Sequence, residues 1–116
     1  MIDIKDSWRF FYDEDEFIIA ENPRMTDEVC RAVSDFVDDV RRLGTLKRVR
    51  LEWDAIKLRY PEGPTGFSIN ATAVDLVDGK MVEIKSFYEQ FETVRIPEAD
   101  FLHALDEFEV FLRSRG

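Results

Sequence analysis

The sequence predicts a single α+β domain over residues 1–116, a two-layer sandwich in which an antiparallel sheet of about five strands carries two helices on one face. Three observations predict it. An apolar fraction of 45%, with 13% aromatic residues, suffices for one packed core in 116 residues. Two segments have apolar residues at helical spacing, and much of the remainder alternates as half-buried strands do. The expected order is β-β-α-β-β-β-α.

The first two expected strands form a hairpin with an acidic tip. Residues 8–12 and 17–20 are aromatic or β-branched runs, which are typical of strands. The segment between them consists of Asp13, Glu14, Asp15 and Glu16. A calcium loop is the alternative, but the run lacks the glycine turn and the distal glutamate that an EF-hand loop needs. The hairpin is therefore the favoured interpretation.

A helix is expected next, from a cap at Thr26 to a glycine end at Gly44. Two acids occupy its first turn, where the helix dipole favours them. Gly44 occupies the position of a left-handed C-cap. The apolar side chains that recur at helical spacing are Val29, Val33, Phe36, Val37, Val40 and Leu43. The opposite face is expected to be solvated and acidic, and includes Asp35, Asp38 and Asp39.

Residues 46–60 are expected to form a long strand. Apolar and polar residues alternate on both sides of Asp54-Ala55, and a β-bulge there would keep the apolar ones on one face. The opposite face would carry a basic stripe of Arg48, Arg50, Lys57 and Arg59. This stripe is expected to pair with acids of neighbouring strands or of a partner. Binding of a phosphate backbone is the alternative, disfavoured because Trp53 and Tyr60 point to the core.

Two further strands and a helix complete the expected domain. The segment 61–66 is a Pro- and Gly-rich loop, and the strands cover 67–77 and 81–96. Asp78-Gly79 between them is typical of a two-residue hairpin turn with positive φ. The second helix is expected to begin at Pro97. Its buried stripe consists of Phe101, Leu105, Phe108 and Leu112.

Charge is distributed unevenly along the chain, whose net charge is −9. Residues 1–40 carry twelve acidic against four basic side chains, whereas residues 41–60 carry seven basic against two acidic ones. The rest of the chain is again acidic. An acidic field opposes binding to nucleic acid or to anionic membranes and favours a basic protein partner.

No motif in the chain indicates catalysis. It has no Gly-rich phosphate loop, nucleophile elbow or dinucleotide fingerprint. His103 shares one helix side with Asp100 and Glu107, which is a usable metal-ligand set, but an acidic helix face produces this trio by chance. Cys30 is expected to be a small buried hydrophobe. Neither a metal nor another cofactor is therefore expected.

The expected location is the cytoplasm. A lone cysteine fits a reducing compartment. The first residues carry acids where a signal peptide needs bases, and no apolar run is long enough to span a bilayer.

Several of these features occur together: the aromatic first strand 8–12, a helix ending at Leu43-Gly44, a three-stranded meander, and a closing helix introduced by residues 91–97. In this layout and in its acidity the chain resembles small immunity proteins of bacterial polymorphic and contact-dependent toxin systems. The resemblance covers most of the chain and carries over no individual residue. It implies a non-enzymatic inhibitor that masks a basic toxin, typically a nuclease. The toxin-binding surface is sought first on the hairpin tip and on the acidic helix face.

Two other functions stay open. A small-molecule-binding domain or enzyme would place a site between the curved sheet and the helices, in a cavity holding polar groups of perturbed pKa. An adaptor or chaperone subunit would form a homodimer through the open sheet face and expose aromatic side chains, for which Phe111 is a candidate. An inhibitor instead predicts an acidic, solvent-facing convex patch.

Overall fold

The computed structural model describes residues 8–115, which form three helices and two antiparallel sheets. The elements are β1 (Arg9–Tyr12), β2 (Ile18–Glu21), α1 (Asp27–Val40), α2 (Leu43–Arg59), β3 (Gly66–Ile69), β4 (Thr72–Val77), β5 (Met81–Ser86), β6 (Val94–Pro97) and α3 (Glu98–Arg115). Strands β1 and β2 pair alone, and β3-β4-β5-β6 form a meander. The α+β class is confirmed. The single five-stranded sheet and the predicted element order are wrong, because a helix replaces one long strand and two other strands are each divided. The N-terminal residues that argue against a signal peptide lie outside the described range.

The predicted hairpin is confirmed, and helix α1 closes its outer edge. In the β1–β2 register, the backbone of Ile19 pairs with that of Phe11 in β1. The N–H groups of Ile18 and Ala20, on either side of Ile19, therefore point away from β1. Ser34 Oγ accepts a hydrogen bond from the Ala20 N–H at 2.8 Å, and Asp38 Oδ1 accepts one from the Ile18 N–H at 3.0 Å. Side chains one turn apart on α1 thus complete the hydrogen bonding of β2.

Helix α1 ends at Val40, which is earlier than the predicted end at Gly44. Arg41 takes the positive-φ position at φ 60°, and its N–H donates to the Val37 carbonyl at 2.8 Å. An arginine in this conformation needs support. Its Nη2 donates to the Glu16 carbonyl at 2.8 Å and to Asp38 Oδ1 at 2.6 Å. Gly44 lies instead in the first turn of α2.

Helix α2 occupies the segment predicted as a bulged strand. Its buried residues are Leu46, Val49, Trp53 and Ile56, which follow the three- and four-residue spacing of one helix face. Leu51 and Leu58, on which the apparent alternation depended, are 60% and 86% exposed. Trp53 Nε1 donates to Glu98 Oε2 at 2.7 Å, which ties α2 to the start of α3.

The two strands predicted after α2 are each broken once. A turn at Asn70-Ala71, with φ 48° at Asn70, separates β3 from β4, and residues 87–93 separate β5 from β6. The turn at Asp78-Gly79 is confirmed, since both residues have positive φ. Pro97 ends β6 rather than beginning α3.

Two groups of aromatic rings pack within and against a largely aliphatic core. One group joins α1, α2, β3 and α3 through Phe36, Trp53, Phe67 and Phe101. The other joins the hairpin to α3 through Phe10, Tyr12, Phe108 and Phe111. Phe111, a candidate for an exposed aromatic, is therefore half-buried in this second group. Within residues 8–115, no helix combines the length and apolarity that crossing a membrane requires.

Candidate functional site

A groove of about 280 Å³ lies where the β1–β2 hairpin and α1 meet the start of β4 and the loop 87–93. We call it the acidic groove. Four carboxylates line it, from Asp13, Asp35, Asp38 and Asp39. The rings of Phe17 and Phe91 and the polar side chains of Thr72, Ser86 and Gln90 complete most of its wall. Among the described residues that line it, none is a lysine or an arginine.

The groove brings together residues from both acidic segments predicted as a partner-binding surface. Asp13 comes from the hairpin, and the other three acids come from the second half of α1. The remaining residues of the predicted tip, Glu14, Asp15 and Glu16, are exposed and lie outside the groove lining. The helix acids line a concave surface, whereas the inhibitor hypothesis expected a convex patch.

Four further groove residues, Phe17, Ser86, Gln90 and Phe91, were not among the predicted site residues. The last three follow β5 or end it, in a stretch that was predicted as continuous strand. The interrupted alternation at residues 86–88 was the available signal for a loop there.

Asp13 shapes the hairpin tip. Its Oδ1 accepts hydrogen bonds from the N–H groups of Asp15 and Phe17, both at 2.9 Å. An aspartate that accepts from the N–H two residues on forms an Asx turn, which suits a tight reversal. The same turn places Glu16 at φ 65°. Asp13 therefore holds the Phe17 backbone at the rim of the groove.

Asp38 and Asp39 tie α1 to its two neighbours. Asp38 accepts from the Ile18 N–H of β2 and from Arg41, as described above. Asp39 Oδ2 accepts from Thr72 Oγ1 at 2.6 Å and from the Ala71 N–H at 3.2 Å. Thr72 is buried, so this pair joins α1 to the first residue of β4 inside the protein. Both carboxylates are occupied by bonds that hold the groove walls in place.

Asp35 differs from its neighbours, because no described residue donates a hydrogen bond to its carboxylate. Burial is the main cause that raises the pKa of Asp35. The charge of Arg31 opposes the rise, and the charges of Asp39 and Asp38 add to it. A cation placed in the groove would offset both the desolvation cost of the charged carboxylate and the like-charge repulsion. Asp35 is thus the groove acid best suited to contact a ligand.

The groove combines negative charge with aromatic surface. Phe17 is 54% exposed, and Phe87 and Tyr88 in the adjoining loop are 53% and 71% exposed. Carboxylates and ring faces both attract ammonium and guanidinium groups. A volume of about 280 Å³ lies just below the range for drug-sized ligands. One lysine or arginine side chain fits this size and chemistry.

The other predicted chemical positions lie apart from the groove. In the described part of the chain, no group of three or more His, Cys, Asp or Glu side chains is arranged to hold a metal ion. His103 Nε2 lies 3.2 Å from Glu107 Oε1 one turn away. Cys30 is half-buried, its Sγ donates to the Asn22 carbonyl at 3.7 Å, and burial raises the pKa of its thiol.

The predicted basic stripe is wrong as a single surface, because its residues lie on a helix. Successive helical residues are about 100° apart, so Arg48 and Arg50 point in opposite directions. Arg50 Nη2 lies 2.8 Å from Asp106 and 3.3 Å from Glu109, and Lys57 Nζ lies 2.7 Å from Glu98. Arg48 and Arg59 are exposed. Two of the four bases thus pair with α3, rather than with acids of neighbouring strands.

Comparison with known protein families, with curated proteins and with solved structures gives no match for this chain. The functional argument therefore depends on the geometry and charge of the acidic groove.

Proposed function

We propose that this protein is a non-enzymatic binding protein whose acidic groove accepts a lysine or arginine side chain of a basic protein. We further propose that it acts as an inhibitor or immunity protein that masks a basic toxin or nuclease in the cytoplasm. One observation carries the proposal: acids from two separate segments converge on one groove, beside exposed aromatic rings. This is the chemistry that a cationic side chain recognises.

Electrostatics would govern both the rate and the specificity of such binding. A groove lined by one sign of charge attracts a basic partner from a distance and increases the association rate, and salt screens this effect. Asp38 and Asp39 are held in place before binding by Ile18, Thr72 and their neighbours. A preorganised carboxylate loses little conformational entropy when the ligand arrives. We therefore expect salt-sensitive binding that depends on Asp35.

A small-molecule site or an enzyme is the second candidate, favoured by the raised pKa of Asp35 inside a groove. A carboxyl of this kind can serve as a general acid or base. The paired acids beside it are less suited to proton transfer, since each accepts two hydrogen bonds from the protein. This candidate predicts saturable binding of a small neutral or cationic compound that does not weaken with salt as steeply as peptide binding.

The binding proposal can be tested with a defined peptide. A hexa-arginine peptide should shift the backbone amide NMR signals of Asp35, Phe17 and Gln90, whereas a hexa-glutamate peptide should not. Replacing Asp35 by asparagine removes one charge-assisted contact, for which we expect about a tenfold loss of affinity. Glu14→Gln removes one equal charge from the exposed tip and should change affinity less than about twofold. Equal losses of affinity in both variants would show that the peptide responds only to the overall negative charge of the protein. The groove would then be excluded as the binding site.

The partner class needs a second experiment. Tagged wild-type protein and the Asp35→Asn variant would be purified from the protein's own cells at low and at high salt. We expect the wild type to retain a basic protein at low salt only, and the variant to lose it. Retention of no basic protein would reject the inhibitor proposal. Asp35 is preferred to charge reversal of Asp38 or Asp39, because those side chains also support the fold.

A further inference from the structure

Helix α2 carries an apolar strip on the side turned away from the core. Gly44, Leu51 and Leu58 recur every seven residues, and Ala55 lies beside them. We call these four residues the leucine strip. All four are exposed, and Leu58 is the most exposed large apolar side chain in the described residues, at 86%. Leucines repeated on the outer face of one helix are typical of a helix-pairing surface.

The charges beside the leucine strip are of both signs and have no partners in the part of the chain that the structure describes. Within residues 8–115, none of them has an ion pair or a hydrogen-bonded side-chain partner. In contrast, Arg50 and Lys57 on the sides nearer α3 are both paired. The charges concerned are Lys47, Arg48, Glu52, Asp54 and Arg59. Both signs occur beside the strip, so a second copy of the same surface can place acids against bases.

We propose that α2 pairs with α2 of a second copy of this chain, antiparallel, with the twofold axis at Leu51. A residue that follows Leu51 by a given number of positions then lies opposite the residue of the partner helix that precedes Leu51 by the same number. The two Leu51 side chains meet on the axis, and Leu58 packs on Gly44 of the partner subunit. A Cβ added at Gly44 would meet nothing within 4 Å, so the leucine has open space to occupy. Such an interface is isologous, as in most homodimers.

Charge selects this arrangement over the alternatives. In the proposed register, Lys47 lies beside the partner's Asp54, and Arg48 lies within reach of the partner's Glu52, and each pair occurs twice. A register with Leu51 opposite the partner's Leu58 would place the two Asp54 carboxylates together. A parallel pair would place Lys47 against the partner's Lys47. Like charges in contact oppose both alternatives.

The contact is small and separate from the acidic groove. No residue of α2 lines the groove, so the proposal stands independently of the proposed function. A one-helix contact falls at the low end of interface sizes, and we expect a dissociation constant on the order of 100 µM. Sedimentation from about 10 µM to about 1 mM should follow the monomer converting to a dimer. A protein that stays monomeric over this whole range would overturn the proposal.

Charge reversal tests the register. Lys47→Asp and Asp54→Lys should each weaken the dimer about tenfold or more, because each creates two like-charge contacts. An equimolar mixture of the two variants should restore association, since the aspartate introduced in one chain then faces the lysine introduced in the other. A mixture no stronger than the single variants would reject the pairing. Circular dichroism checks that both variants fold, and neither side chain has a partner within the described part of the monomer to lose.

Cysteine substitution tests the position of the axis. In a Cys30→Ser background, Leu51→Cys should form a disulfide-linked dimer when copper-phenanthroline is the oxidant. Leu58→Cys is the matched control, since the two positions 58 lie about 21 Å apart in the proposed pair. We expect Leu51→Cys to link faster although it is the less exposed position. Faster linking at position 58 would indicate non-specific contact and overturn the proposal.

Discussion

Replacing Asp38 by alanine tests whether a groove acid also supports the fold. The change removes the acceptor for the Ile18 N–H, and Ile18 is only 1% exposed. A buried N–H without a partner costs about 1–3 kcal/mol. The ion pair with Arg41 adds about 0.5 kcal/mol or less, because the Arg41 side chain is 41% exposed. We expect a total loss of about 2 kcal/mol in the free energy of unfolding and a fall in Tm of roughly 10 °C.

Asp38→Asn separates the hydrogen bond from the charge. Its amide oxygen still accepts from Ile18, so we expect a loss of only about 0.5 kcal/mol. Urea unfolding monitored by Trp fluorescence would measure each variant. Asp106→Ala is the control, since Asp106 has an ion pair with Arg50 at 2.8 Å and is 68% exposed. We expect a change within about 0.5 kcal/mol there. Equal destabilisation by Asp38→Ala and Asp38→Asn, or by Asp38→Ala and the control, would refute the reasoning.

Two further predictions concern titratable groups. Burial raises the pKa of Asp35 in the folded state, so the folded protein binds more protons than the unfolded chain, and Asp35 reduces stability as pH rises through that window. Asp35→Asn should therefore raise Tm at pH 7, and the gain should vanish near pH 2.5, where the aspartate is protonated in both states; a gain that is equal at both pH values would contradict this. Burial also raises the pKa of Cys30, so iodoacetamide should alkylate it more slowly at pH 7.5 than it alkylates free cysteine. Alkylation at the rate of free cysteine would show an exposed thiolate.

The sequence correctly predicted those elements in which the apolar residues have the same spacing, helical or alternating, along the whole element. The apolar stripes predicted for α1 and α3 are buried, except that Val29 is half-buried and Leu43 lies exposed in α2, and Asp78-Gly79 makes the predicted turn. The strand prediction for α2 failed because Leu51 and Leu58 are exposed. Counted with the other apolar residues, these two leucines give an alternating pattern that is typical of a strand. The residues that are in fact buried, Leu46, Val49, Trp53 and Ile56, have the spacing of one helix face. The absence of Gly and Pro from residues 45–60, with many good helix formers, was the signal for the helix.

The charge asymmetry of the chain was visible in the sequence, but its spatial meaning was not. The basic segment 41–60 became a helix whose bases point in several directions, and two of them pair with α3. The acids of α1 were expected on a solvated face. Instead Asp38 and Asp39 reach across to β2 and β4, where their carboxylates accept hydrogen bonds from the Ile18 N–H and the Thr72 hydroxyl.

The sequence by itself determined the class of the protein, the hairpin with its acidic tip, the terminal helix and the surplus of acid, because each depends on local spacing or on composition. Only the tertiary structure decided that Asp13 and Asp35 share one groove and that Leu51 and Leu58 face away from the core. Both facts depend on how separate elements pack. Packing is set by contacts between residues far apart in the chain, and the local pattern around each residue does not contain them.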